Sequence, residues 1–277
     1  MEPSPPLNSP FGTGQLDEVP LERAPLVRVL AQVRFPRLAA LSVGDERANQ
    51  IVRDLQGDYP VLQVSSELVT TLTPQGMAQQ TGPGRTWQLQ DGDQKWQVTF
   101  APDFVSLQTS VYVSRGDFVN RLNGVISSFT EAVRPPKTER IGVRYINRLA
   151  DPYLADLPQL IRPEMLGGLA VPASEYGVTV ARSLSDAQYN FPPIQTGVTD
   201  SLQVRWGQLP PGVIIDPSLP PADTPTWVLD LDSFRMGQEE WSSATISTSV
   251  LDLAERAYRF FRWVVKDEFL ERFGAHK

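Results

Sequence analysis

The chain has 277 residues, 41% of them hydrophobic and 21% charged, which is globular composition and long enough to bury a core without a metal or disulfide staple. It has no cysteine and a single histidine, His276, so thiolate nucleophiles, Cys-ligated zinc, Ser-His-Asp triads and HExxH zinc sites are excluded or nearly so. The formal net charge of −7 repels phosphate backbones, so nucleic acid is a disfavoured partner.

Residues 1–21 are rich in proline, glycine and polar side chains and read as a mobile arm on which Phe11 and Leu16 have the means to dock. No Lys or Arg precedes Arg23 and no apolar run approaches 18 residues. Neither a secretory signal nor a membrane span is expected, and the default location is cytoplasmic. Leu26–Phe35 alternates as a strand, with Val27, Val29, Ala31, Val33 and Phe35 on one face and Leu26, Arg28, Leu30, Gln32 and Arg34 on the other. Ser42 is placed to cap a helix over 43–56. Strands are expected at 61–72, 86–90, 95–100 and 104–113, with Asp91-Gly92 as the hairpin turn. The 3.6-residue period of Phe118, Leu122, Val125, Ile126, Phe129 and Val133 predicts a helix from 117 to 133, ended by Pro135-Pro136.

The same order then recurs. A strand over 138–149 leads to broken helical turns over 157–169, strands at 177–184, 202–206 and 226–231, and a last helix from 243 to 273 with a bend near Lys266. This gives an α+β chain of antiparallel sheet with long helices packed on one side. Two halves, 22–136 and 137–277, share an element order that suggests a tandem pseudo-repeat.

The sharpest chemical feature is the strand Arg140–Arg148. Its period of two sets Arg140, Gly142, Arg144, Ile146 and Arg148 on one face. Arg28 and Arg34 hold similar positions in the first half. If the two strands are neighbours, their guanidiniums share a surface suited to phosphate, carboxylate or an acidic peptide. Asp230 and Asp232, two apart on a strand, are candidates to neutralise them internally, and the choice between an open and a paired Arg face is left to the structure. Two aspartates without further oxygen ligands do not make a metal site. No cofactor and no catalytic residue is assigned. A second candidate surface for a partner is the six-proline loop 208–225, through Val213, Ile214 and Ile215. The last helix is apolar on more than one stripe, so Tyr258 and Trp263 are expected to face a partner or a second copy in a homodimer.

Leu26–Pro36, the run RIGVRYINR at 140–148, and WVLDLD at 227–232 before a long C-terminal helix together resemble an uncharacterised family of bacterial proteins, scattered sporadically among genomes. The resemblance covers roughly residues 22–273. It implies no established activity or catalytic residue, and its sporadic distribution implies an accessory role such as defence or a toxin–antitoxin component. The function expected from the sequence is therefore a non-enzymatic interaction module for an unknown protein partner. The alternative is an anion- or nucleotide-binding module using the Arg-bearing sheet face.

Overall fold

A computed structural model describes residues 7–12, 16–73, 76–172, 174–213, 216 and 219–275. The first strand, β1 (Leu26–Arg34), leads through the short α1 (Ala39–Ser42) into α2 (Glu46–Leu55). Ser42 does not cap α2. Its hydroxyl donates back to the carbonyl of Leu38 and closes α1, and Gly44, at φ +77°, separates the two helices. A meander follows: β2 (Val61–Thr73), β3 (Gly76–Gln90), β4 (Trp96–Ala101) and β5 (Phe104–Thr109). The Asp91 carboxylate accepts from the backbone N–H of Lys95 and Trp96, which fixes the β3–β4 turn. The long helix α3 (Arg115–Val133) is capped by Ser114, whose hydroxyl accepts from Asp117 N at 3.1 Å.

The second half opens with β6 (Lys137–Leu149). Residues 153–170 then form short 3-10 turns and one helical turn, α4 (Leu157–Leu160). β7 (Ser183–Asn190), β8 (Thr199–Leu209) and β9 (Thr226–Glu240) precede α5 (Ser243–Val264) and α6 (Asp267–Arg272). The expected strand at 177–184 lies further along, at 183–190. Three of its four inward positions, Ser183, Ser185 and Ala187, are small or polar and only Tyr189 is large, so its alternation is faint to an apolar pattern. The last helix is broken, not bent: Val265 and Lys266 are extended, and α6 starts anew behind them.

All nine strands form one antiparallel sheet in the order β2-β3-β4-β5-β1-β6-β9-β8-β7. The first strand of each half therefore lies at the centre, β1 against β6, with each half's remaining strands running outward from it. Val29, Ala31, Val33, Val98, Phe100, Leu107, Ile141 and Val143 pack under α2, α3 and the N-terminal half of α5. Leu202, Val204, Leu229 and Leu231 pack under the C-terminal half of α5 and under α6. The three long helices thus cover one face, as the sequence pattern anticipates. On the other face no helix packs among the described residues. Trp87, Trp96 and Trp227 are core residues on the helix side.

One irregularity alters the expected alternation. A bulge between Leu26 and Arg28 flips Leu26 to the helix side, where it packs against the core. The described arm residues are docked. Phe11 packs on Tyr189, Phe191 and Phe260 with its nearest ring centroid at 4.8 Å. Leu16 N donates to Glu255 and Val19 N to the Tyr258 hydroxyl. No helix among the described residues is long and apolar enough to cross a membrane.

α5 is pinned to the sheet by a fully buried carboxylate. Asp200 on β8 accepts two hydrogen bonds from Arg235 on β9 and one from Arg256 on α5. Burial alone would raise its pKa, but those hydrogen bonds outweigh it and hold the carboxyl below its usual value. A lowered folded pKa stabilises the fold fully above the ordinary Asp value of about 3.9, and the benefit is lost as pH falls through the lower folded value. Unfolding titrations of the wild type and Asp200→Asn should show this: the wild type loses stability through that acid window, while in the variant the same pH change has a visibly smaller effect.

Candidate functional site

Because β1 and β6 are antiparallel neighbours, Arg34 lies opposite Arg140, Gln32 opposite Gly142, Leu30 opposite Arg144 and Arg28 opposite Ile146. Period two then brings Arg28, Arg34, Arg140, Arg144 and Arg148 to the face that carries no helix. On the far side of β6, Asp232 is opposite Arg144 and Asp230 opposite Ile146, with Arg205 of β8 opposite Asp230. The structure therefore assembles all seven charged residues singled out on these strands and adds two that the sequence reading missed, Arg205 and Asp216.

Each guanidinium is met from within. Arg144 grips Asp230 as a fork, Nε to Oδ1 at 2.7 Å and Nη2 to Oδ2 at 2.9 Å, and its Nη1 donates to Asp216 from the proline-rich loop. Asp230 is 1% exposed and also receives Arg205 Nη2 at 3.0 Å. Burial alone would lower the Arg144 pKa, but Asp230 and Asp216 raise it well above the usual arginine value. Burial lowers the Arg28 pKa, partly offset by Asp216. Arg140 leans along β6 so that its Nη2 reaches both Asp232 oxygens at 2.8 and 2.9 Å, and it lies over the Phe234 ring. Arg148 donates to the carbonyl of Pro220, and Arg34 pairs with Asp103 at 2.8 Å in an exposed bridge. The Arg face is thus internally paired, as its proximity to Asp230 and Asp232 suggested.

Gly142 makes the lean of Arg140 feasible. A Cβ at 142 would stand 2.4 Å from Arg140 Nη1, in the path of the guanidinium. Its bare backbone is also the floor of a depression of about 290 Å³, walled by Leu30, Gln32, Arg34, Arg140, Arg144 and Asp232. Asp232 is the carboxylate that lines it. Burial raises its pKa, and Arg140 and Arg144 only partly oppose that. No group of three or more His, Asp or Glu able to hold a metal occurs among the described residues.

The proline-rich loop folds back over the lower part of this face. Leu219 is buried, and Val213 lines a small crevice over Ile146 and Val228. Val213 is about one-third exposed, while Ile214 and Ile215 lie outside the described residues. Tyr258 and Trp263 do not present free rings to a partner. The Tyr258 hydroxyl is engaged by Val19 N and donates to Asp17 O, and Trp263 packs at a tilt against Phe260 with Arg162 over its ring. The second apolar stripe of α5 is covered by the arm and by residues 157–166, which an amphipathic-helix reading cannot distinguish from a dimer interface.

No protein-family model matches the chain, and no curated protein is significantly similar to it.

The geometry ranks the two aspartates. Asp230 serves two arginines in a dry position, and Asp232 serves one at the rim. Asp230→Asn should cost about 3–5 kcal/mol, the loss that follows removal of one partner from a buried charge cluster. Asp232→Asn should cost clearly less. Denaturant midpoints of the two variants check this, and equal losses would contradict the ranking.

Proposed function

We propose that the chain is a protein-interaction module whose helix-free sheet face receives an acidic segment of a partner protein, with one carboxylate seated in the depression between β1 and β6. The observation that supports this is the donor set of the wall: Arg34, Arg140 and Arg144 line the depression, and of their internal partners only Asp232 lines it with them, while Asp103, Asp216 and Asp230 do not. Arg34 is the cheapest of the three to recruit. Its bridge to Asp103 is exposed, and such pairs contribute only about 0–1 kcal/mol, so an incoming carboxylate replaces Asp103 at little cost. Asp232, the internal partner of Arg140, stands at the rim with its side chain 21% exposed, so an incoming carboxylate reaches the same guanidinium. Gln32 stands beside them as an amide that donates and accepts.

The flanking sheet supports a peptide-sized contact. Beyond the depression the same face continues through Gln108, Gln97 and Gln88, with Ser106 and Thr99 between them. Gln108 and Gln88 are half-buried and suit hydrogen bonding to an extended chain, while Ser106 and Thr99 are buried between them. A partner of this kind fits the accessory defence or toxin–antitoxin setting that the family resemblance implies.

Calorimetric titration with an end-blocked hexaglutamate peptide tests the proposal. Binding should be measurable at low ionic strength and weaken in 0.5 M salt, about three times closer screening than at 0.05 M by the square-root law behind the Debye length. Arg34→Ala should weaken it about tenfold, the equivalent of one charge-assisted hydrogen bond. Gly142→Val should abolish it, because the new side chain fills the depression and displaces the Arg140 guanidinium; the protein should still unfold cooperatively, since valine suits a strand and the displaced atoms are the far end of a flexible side chain. No peptide binding, or binding unchanged in Gly142→Val, sinks the proposal. Binding of ATP or inorganic phosphate at the same residues without the peptide replaces it with an anion- or nucleotide-binding module.

A further inference from the structure

The helix side of the sheet holds a second feature, independent of the charged face. A cavity of about 160 Å³ lies between β1, β6, β9 and α5, and its outer wall is the docked arm, residues 18–24. Leu21, Leu26, Leu231, Ala257 and Phe261 make it mostly apolar, and Asn147 and Tyr145 of β6 supply polar atoms. A space of roughly 150 Å³ is enough to accommodate a benzene-sized molecule.

Asn147 is the telling residue. It is 6% exposed, and its side chain makes only one long hydrogen bond, Nδ2 to Leu229 O at 3.5 Å. Its Oδ1 accepts from no donor among the described residues, although a buried amide ordinarily satisfies most of its hydrogen-bonding capacity. Tyr145 stays a neutral donor, since burial pushes its hydroxyl up to about 12 against the opposing effects of Tyr112 and Arg115. The one carboxylate in the wall, Glu18, is already met by Arg115 at 3.4 Å and by the Tyr112 hydroxyl at 3.2 Å. The wall therefore offers no unmet charge to an ionic guest.

We propose that this cavity is a binding site for a small neutral molecule with a six-membered ring or an alkyl body of similar size and one hydroxyl or amide group that donates to Asn147 Oδ1. The arm is the wall that opens. It is held there by discrete contacts: Glu18 to Arg115, Val19 N to the Tyr258 hydroxyl at 2.7 Å, and Arg23 N to Phe273 O at 3.1 Å.

Phenol, cyclohexanol, toluene and benzoate are the probes, applied at millimolar concentration to the full chain. Phenol and cyclohexanol should raise Tm by several degrees when far above Kd, toluene less, and benzoate not at all. Ala257→Leu, which fills the cavity from α5, should remove the shift. Asn147→Leu should abolish the preference for phenol over toluene. Intermolecular nuclear Overhauser contacts from phenol to the rings of Tyr145 and Phe261 in the wild type provide a readout that needs no variant. Absence of both the Tm shift and these contacts overturns the proposal, as does an undiminished shift in a cooperatively folding Ala257→Leu protein. Stronger stabilisation by benzoate than by phenol overturns the neutral-ligand assignment.

Discussion

A guanidinium on the central strand of a sheet has neighbours on both sides and little water. Arg144 is in that position, with β1 on one flank and β9 on the other. Its charge is tolerable only if carboxylates arrive with matching geometry. The fold supplies them from two sources: Asp230 by cross-strand register and Asp216 by a loop that must fold back over the sheet. This requirement fixes more than one ion pair. It sets the register of β9 on β6, draws the proline-rich loop onto the lower half of the face, and leaves the upper half, around Gly142, uncovered. The depression exists because the compensating groups cluster below it.

The helix side obeys the opposite rule and reaches a similar solution. Apolar side chains dominate there, and among the described residues Asp200 is the one carboxylate set fully inside, where two arginines from different elements converge on it. A buried charge with two partners on β9 and α5 fixes where along the sheet that helix sits. Hydrophobic packing alone would tolerate a sliding helix. The ion pairs on the two faces therefore do different things: those around Arg144 order a loop, and that at Asp200 positions a helix.

Much of this was legible in the sequence wherever one side of an element is apolar. The 3.6-residue period of α3 and the alternation of β6 each state their own orientation. The gathering of Arg28, Arg34, Arg140, Arg144 and Arg148 follows from alternation plus a single added fact, that β1 and β6 are neighbours. What escaped has a common cause. β7 presents mainly serine and alanine inward, so its period carries little hydrophobic signal. Asp216 belongs to a loop whose path is set by tertiary contact. Leu26 was put on the wrong face because a bulge adds one residue without marking itself in the composition. The coverage of Tyr258 by the arm depends on contacts more than 200 residues apart, which local periodicity does not encode.

β6 links the two faces. Its odd-numbered residues 141–149 build the core and end in Tyr145 and Asn147 at the arm-walled cavity, while Arg140, Gly142 and Arg144 build the depression on the other side. Neither set is free to shift by one residue, since a one-residue slip exchanges every side chain between faces and would bury three guanidiniums against α5. The strand is consequently held in register by opposite penalties on its two sides. That is why a polar amide such as Asn147 is informative. On a strand whose inward positions are otherwise selected for burial, an incompletely bonded amide facing a cavity has no packing role that leucine would not perform better.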